Sequence, residues 1–144
     1  MKQTIIAVIC FLCVSSLYIQ AQKINHPSLL YTPQRIQQVK QRMQHEPKLQ
    51  EAWGDIKRTA DEALQKKDFN RLDYLSLAYL MTDNKEYADV IKEILLKTVE
   101  AESWGDVEMM ARIPAWRSQL GMAHKSFLSA VGYDAAYNVM SSSE

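Results

Sequence analysis

Residues 72–99 read LDYLSLAYLMTDNKEYADVIKEILLKTV, two apolar runs on either side of a polar break at Thr82, Asp83 and Asn84. In the first run Leu72, Tyr74, Leu75, Leu77, Ala78, Tyr79, Leu80 and Met81 occupy nearly every helical face. A helix that is apolar all round must be covered on several sides. In the second run Tyr87, Ala88, Ile91, Ile94, Leu95, Thr98 and Val99 recur at steps of three and four, the pattern of one buried stripe. Asp89, Lys92, Glu93 and Lys97 fall off that stripe, with Glu93 and Lys97 at neighbour spacing on the solvated side. A break of about three residues permits only an antiparallel return, so the stretch predicts an αα-hairpin. With one helix needing cover all round, the hairpin cannot stand alone. The expected class is all-α, built from antiparallel helical hairpins.

Upstream, Thr32 caps a helix that has Pro33 at its first position, where the missing N–H is not needed. Tyr31 before the cap and Ile36 within the first turns form a hydrophobic staple. This helix runs from 33 to about 44, with Ile36, Val39 and Met43 inward, and Pro47 ends it. A second helix, from about 48 to 65, carries Leu49, Trp53, Ile56, Ala60, Ala63 and Leu64 on one face. The polar Lys66-Lys67-Asp68 segment separates it from the hairpin. Downstream, residues 103–117 contain Gly105 and Pro114 and hold no sustained stripe, which predicts a loop or broken helix. A last helix over about 118–140 is expected to turn Leu120, Ala123, Phe127, Ala130, Val131 and Tyr137 inward.

The two ends carry different signals. Lys2, the apolar core over 5–19 and Ala21 have the form of a cleaved export signal, so residues 1–21 are read as a leader and 22–144 as the mature chain. Its apolar run is too short and too rich in serine for a spanning helix. Both cysteines of the chain, Cys10 and Cys13, fall in that leader. The mature chain then has no thiol for a disulfide or a cysteine metal site. Ile9 and Leu12 precede the cysteines, where a lipoprotein signal carries a small residue. The expected location is periplasmic or secreted, with no membrane anchor after leader removal. At the other end Ser141 and Glu144 form an S-x-x-E capping box that opens a new helix. The expectation is therefore an N-terminal piece of a larger helical protein.

Lysine and arginine number 17 and aspartate and glutamate 17, a balance that gives no nucleic-acid footprint. No glycine-rich phosphate loop, G-x-S-x-G elbow or HExxH helix occurs, which disfavours nucleotide, nucleophilic and zinc-protease chemistry. No cofactor is expected.

Three stretches resemble one known family. His26-Pro27-Ser28-Leu29-Leu30-Tyr31-Thr32 is similar to the opening of heparinase II/III-like polysaccharide lyases. Leu77-Ala78-Tyr79-Leu80, the Asp83-Asn84 turn and Tyr87-Ala88 resemble their first toroid helices. Gly132-Tyr133-Asp134 with Tyr137, followed by Ser141 and Glu144, is similar to their next motif, although Ala135-Ala136 replaces its bulky pair and Asn138 its acid. The resemblance spans His26 to Glu144. It implies the first part of an incomplete (α/α) toroid, and β-elimination on a uronic-acid polysaccharide such as a glycosaminoglycan- or alginate-like chain. The family's catalytic asparagine, histidine and tyrosine motifs lie in later helices, so no catalytic residue is assigned here and the piece alone is expected to be inactive. Two rivals share the helical pattern. A TPR-like α-solenoid binding module would repeat with a period of about thirty-four residues, which is not seen. A toroid glycoside hydrolase would use paired carboxylates further along.

Candidate binding residues cluster in and after the loop: Trp104, Arg112, Trp116, Arg117 and His124. Aromatic planes stack on sugar rings, and guanidinium groups pair with carboxylates or sulfates in two-point fashion. The competing reading has the tryptophans plugging helix ends and the arginines solvated. For His124 a substrate contact or general base competes with a structural or surface role. His26 is read as an anchor for the N-terminal segment and His45 as solvated. Tyr133, Asp134 and Tyr137 read first as a hydrogen-bonding motif tying the last helix to its neighbours, because a buried carboxylate needs partners. The other reading of that triplet is a phenol serving as proton donor.

Overall fold

The computed structural model describes residues 25–101, 104–105, 108, 111–112, 114 and 120–140. Among the described residues the fold is all-helical, with five α-helices, two short 3-10 turns and no strand. The leader and the capping box at 141–144 lie outside them.

Helix α1 spans Pro33–Met43 and opens as its sequence dictates. The Thr32 hydroxyl accepts from the Arg35 N–H at 3.3 Å, and Ile36 is the residue it buries. Helix α2 spans Pro47–Lys66. Pro47 was expected to end the first helix; instead it begins the second, at a position where proline costs no hydrogen bond. Glu46 before it is extended, the conformation proline imposes on its predecessor. Lys67 closes α2 in the left-handed region, φ 52°, and its N–H is bonded to the Ala63 carbonyl.

Helices α3 (Leu72–Thr82) and α4 (Lys85–Glu100) follow. Two residues separate them, each with its own task. Asp83 takes a left-handed conformation, φ 58°, with its N–H bonded to the Tyr79 carbonyl at 2.7 Å. Asn84 then caps α4, its side-chain oxygen accepting the Glu86 N–H at 3.1 Å. Helix α3 packs against α2, α4 and a fifth helix, α5, at Leu120–Ala136. The core these helices share includes Ala60 and Ala63 of α2, Leu72, Leu75 and Ala78 of α3, Tyr87, Ile91 and Ile94 of α4, and Leu128 of α5. Burial of each large aliphatic side chain there contributes about 1.5–3 kcal/mol. The cover over α3 is incomplete, since Leu77, Leu80 and Met81 are only half-buried. The buried stripe of α4 ends at Leu95, and Val99 is 75% exposed.

The last helix departs from expectation in its facing. Leu120 is 88% exposed and Phe127 53%, while Ala123, Ala130 and Tyr137 also face solvent. The buried face is Leu128, Val131, Gly132, Asp134, Ala135 and Ala136, so of the expected inward set only Val131 is retained. The physical reason is close approach. A Cβ on Gly132 would stand 3.2 Å from Leu72 Cδ2 and 3.4 Å from Ile91 Cγ2. Small side chains let α5 settle into α3 and α4 more closely than the bulky face would allow.

Candidate functional site

Two places in the fold gather chemically capable side chains. The first is Asp134, 3% exposed on the inner face of α5. It reaches the segment before α1, more than a hundred residues earlier. The Ser28 N–H donates to Oδ2 at 2.9 Å and the Leu29 N–H to the same atom at 2.8 Å. His26 Nδ1 lies 2.5 Å from Oδ1. The Ser28 hydroxyl is a further, longer donor at 3.3 Å. Burial pushes the Asp134 carboxyl up, but the Leu29 N–H, His26 and the Ser28 N–H together outweigh it and hold the group below the usual carboxylate range. The His26 ring stacks on Tyr137 with centroids 3.9 Å apart, and Asn138 Nδ2 donates to the His26 carbonyl at 3.0 Å.

A histidine, a carboxylate and a phenol in contact have the composition of a proton-transfer site. Here the carboxylate is occupied by backbone donors, so it serves as a clamp that ties the N-terminal segment to α5. That agrees with the anchoring read for His26 and with the tying motif read for Asp134. The stretches at 26–32 and 132–137 are thus brought together in space.

The second place is a cleft of about 390 Å³ at the end of α4. Its polar wall is Lys67, Asn70, Lys97 and Lys125, and its aromatic wall is Phe69 and Trp104. Trp104 is fixed from both ends. Its indole N–H donates to the Thr98 carbonyl at 2.8 Å, in the last turn of α4, and its own carbonyl accepts from Lys125 Nζ at 3.0 Å. Lys67 and Lys97 converge on Glu93, at 2.6 Å and 2.8 Å. Hydrogen bonding to Lys67 and then Lys97 holds the Glu93 carboxyl below its ordinary value. Two of the three ammonium groups that line the cleft are thus paired with Glu93, and the third, Lys125, with the Trp104 carbonyl.

Of the expected residues that the structure describes, Trp104 alone lines this cleft. The side chain caps the end of α4, as the competing reading of that residue has it, and it is also a wall of the cleft. His124 is exposed on α5 and does not line the cleft, although Lys125 beside it does. Arg112 is exposed and is not among the lining residues. Trp116 and Arg117 lie outside the described residues. Sequence reasoning missed Lys67, Asn70, Lys97 and Lys125, which come from separate stretches and carry no common spacing. Among the described residues no group of three or more His, Cys, Asp or Glu side chains is placed to hold a metal ion. No helix among them is long and apolar enough to cross a membrane.

No family model matches the sequence, and neither the curated proteins nor the solved structures compared with it yield a match.

Proposed function

We propose that this chain is the N-terminal part of an exported polysaccharide lyase acting on uronic-acid polysaccharide, in which it supplies scaffold helices and one wall of the sugar-binding groove. In this reading α3 and α4 form an antiparallel hairpin, the opening of an (α/α) toroid, and residues 1–21 are a leader. The chemistry of β-elimination belongs to other segments, and no described residue is given a catalytic role. The resemblance of residues 26–32, 77–88 and 132–137 to heparinase II/III-like lyases supports the assignment. So does the packing of the first of these stretches on the last through Asp134.

One observation carries the binding part of the proposal: an aromatic-walled cleft ringed by Lys67, Lys97 and Lys125. Ammonium groups attract carboxylates and sulfates as point charges, and the Trp104 and Phe69 rings offer faces for a pyranose. The test is titration with oligogalacturonate and with a neutral dextran oligomer of equal length. Oligogalacturonate should bind with an affinity that falls as salt rises, and Lys97→Ala or Lys125→Ala should weaken it about tenfold. Equal binding of the neutral oligomer, or no loss in either variant, would remove the cleft from the groove.

A further inference from the structure

The polar wall of the lysine cleft carries a rival for any anion that enters. Lys67, just past the end of α2, and Lys97, in the last turn of α4, both line the cleft. Both ammonium groups already contact Glu93, one on each carboxylate oxygen. Lys67 Nζ stands 2.6 Å from Oε2 and Lys97 Nζ 2.8 Å from Oε1. Glu93 is not itself a lining residue, so it acts on the cleft through these two partners. Lys125 differs, because its ammonium group donates to the Trp104 carbonyl, a neutral acceptor.

The two pairs are built to exchange. The Lys67 side chain is 49% exposed, that of Lys97 67% and that of Glu93 36%. Ion pairs this well solvated hold their partners weakly, since water and salt screen the attraction. An entering carboxylate meets the same ammonium groups on the same terms as Glu93 does. What it adds is contact with the Phe69 and Trp104 rings and with Lys125, which Glu93 does not make. Until Glu93 gives way, its charge opposes a second anion at close range.

We propose that Glu93 is an internal competitor of the ligand: it holds Lys67 and Lys97 when no ligand is bound and is displaced from them by a uronate carboxylate. This rests on the reading of the cleft as a site for acidic sugar, and it names the residue that sets the affinity there. Displacing Glu93 uses part of the attraction that the lysines offer, so a lone carboxylate gains little. A chain that carries a carboxylate on every unit offers a second anion at high local concentration once the first is held. The cleft is thereby tuned toward polymers and away from small anions.

The experiment titrates oligogalacturonate into the full-chain parent, Glu93→Gln and Glu93→Asp. Glu93→Gln should bind about threefold to tenfold more tightly than the parent, and Glu93→Asp, which keeps the charge, should stay within about twofold of it. Denaturation midpoints should stay close to the parent's, because the lost pairs are exposed. In the isotope-labelled parent, oligogalacturonate should shift the Glu93 carboxyl-carbon resonance saturably as its two partners leave, which a purely structural tie between α2 and α4 would not show. Binding by the parent that is equal or weaker in Glu93→Gln overturns this inference and leaves the cleft reading standing. So does an equal gain in Glu93→Asp, or a Glu93 resonance that the bound ligand does not move. Absence of binding in parent and variants alike removes the cleft reading and this inference together.

Discussion

Asp134 on α5 holds His26 at 2.5 Å between Oδ1 and Nδ1, across a sequence separation of 108 residues, and takes the Ser28 and Leu29 N–H groups on its other oxygen. Replacing it strands two backbone donors in a part-buried place. Asp134→Ala should therefore cost about 2–3 kcal/mol, read as a shift of the denaturation midpoint. Asp134→Asn keeps an acceptor and should cost less. An alanine variant as stable as the parent would show that the segment before α1 is not held by this residue.

The same carboxylate gives stability a dependence on acid. Its pKa is lower in the folded chain than its ordinary value, so the folded state binds fewer protons at that site than the unfolded state does. The contribution is complete above the unfolded value, about pH 4, and is lost as pH falls through the lower folded value. Denaturation midpoints recorded downward from pH 5 should fall in the parent, and the Asp134→Asn profile should lack that part of the decline. Parallel profiles would place the acid sensitivity elsewhere.

Glycine substitutions should separate by position. Gly132 faces Leu72 and Ile91, both fully buried, so an added side chain has nowhere to go. Gly132→Val should destabilise by about 1–3 kcal/mol through overpacking. Gly54, in the interior of α2, has nothing within 4 Å of an added Cβ. Gly54→Ala should stabilise by about 0.5–1 kcal/mol, because alanine loses less backbone freedom in a helix. Thermal melts of the two variants check both signs at once.

Tyr87 is 1% exposed, yet its hydroxyl donates to Asp61 of α2, which also takes Lys57 Nζ at 2.7 Å. The ring carries the packing and the hydroxyl adds one tie between α4 and α2. Tyr87→Phe should cost about 1 kcal/mol and Tyr87→Ala about 3–5 kcal/mol. Phenylalanine and alanine variants of equal stability would show that the ring contributes nothing beyond its hydroxyl.

How much of this was legible in the chain depends on where the deciding physics sits. The first helix start was readable because it is local: Thr32 before Pro33 acts within one turn. The role of Pro47 was misread because proline both stops and starts helices, and only the conformation of Glu46 decides which. The facing of α5 was hidden because LGMAHKSFLSAVGYDAA offers apolar residues on opposite sides. Periodicity there favours the bulkier face, whereas packing chose the one with Gly132 and Ala135. The lysine cleft was invisible for another reason. Lys67, Lys97 and Lys125 each look like solvated surface until the ends of α2 and α4 and the middle of α5 converge. Trp104 was the exception, because a large aromatic ring in a loop already stands out.

Lys67 joins stability to binding and allows the two to be separated. It sits in the left-handed region at φ 52°, a conformation that costs a side-chain-bearing residue about 1–2 kcal/mol and glycine little. It also lines the cleft and pairs with Glu93 at 2.6 Å, a contact worth little where both groups are well solvated. In Lys67→Gly the relief of strain and the greater freedom of glycine when unfolded nearly offset, so stability should stay within about 1 kcal/mol of the parent. Oligogalacturonate binding should nonetheless weaken severalfold, through the lost ammonium. Asp83→Gly, at the other left-handed residue, φ 58°, repeats the backbone change in the turn between α3 and α4 without touching the cleft lining. It should leave binding unchanged. Matched loss of binding in both variants would mean that backbone loosening, and not the Lys67 charge, governs the cleft.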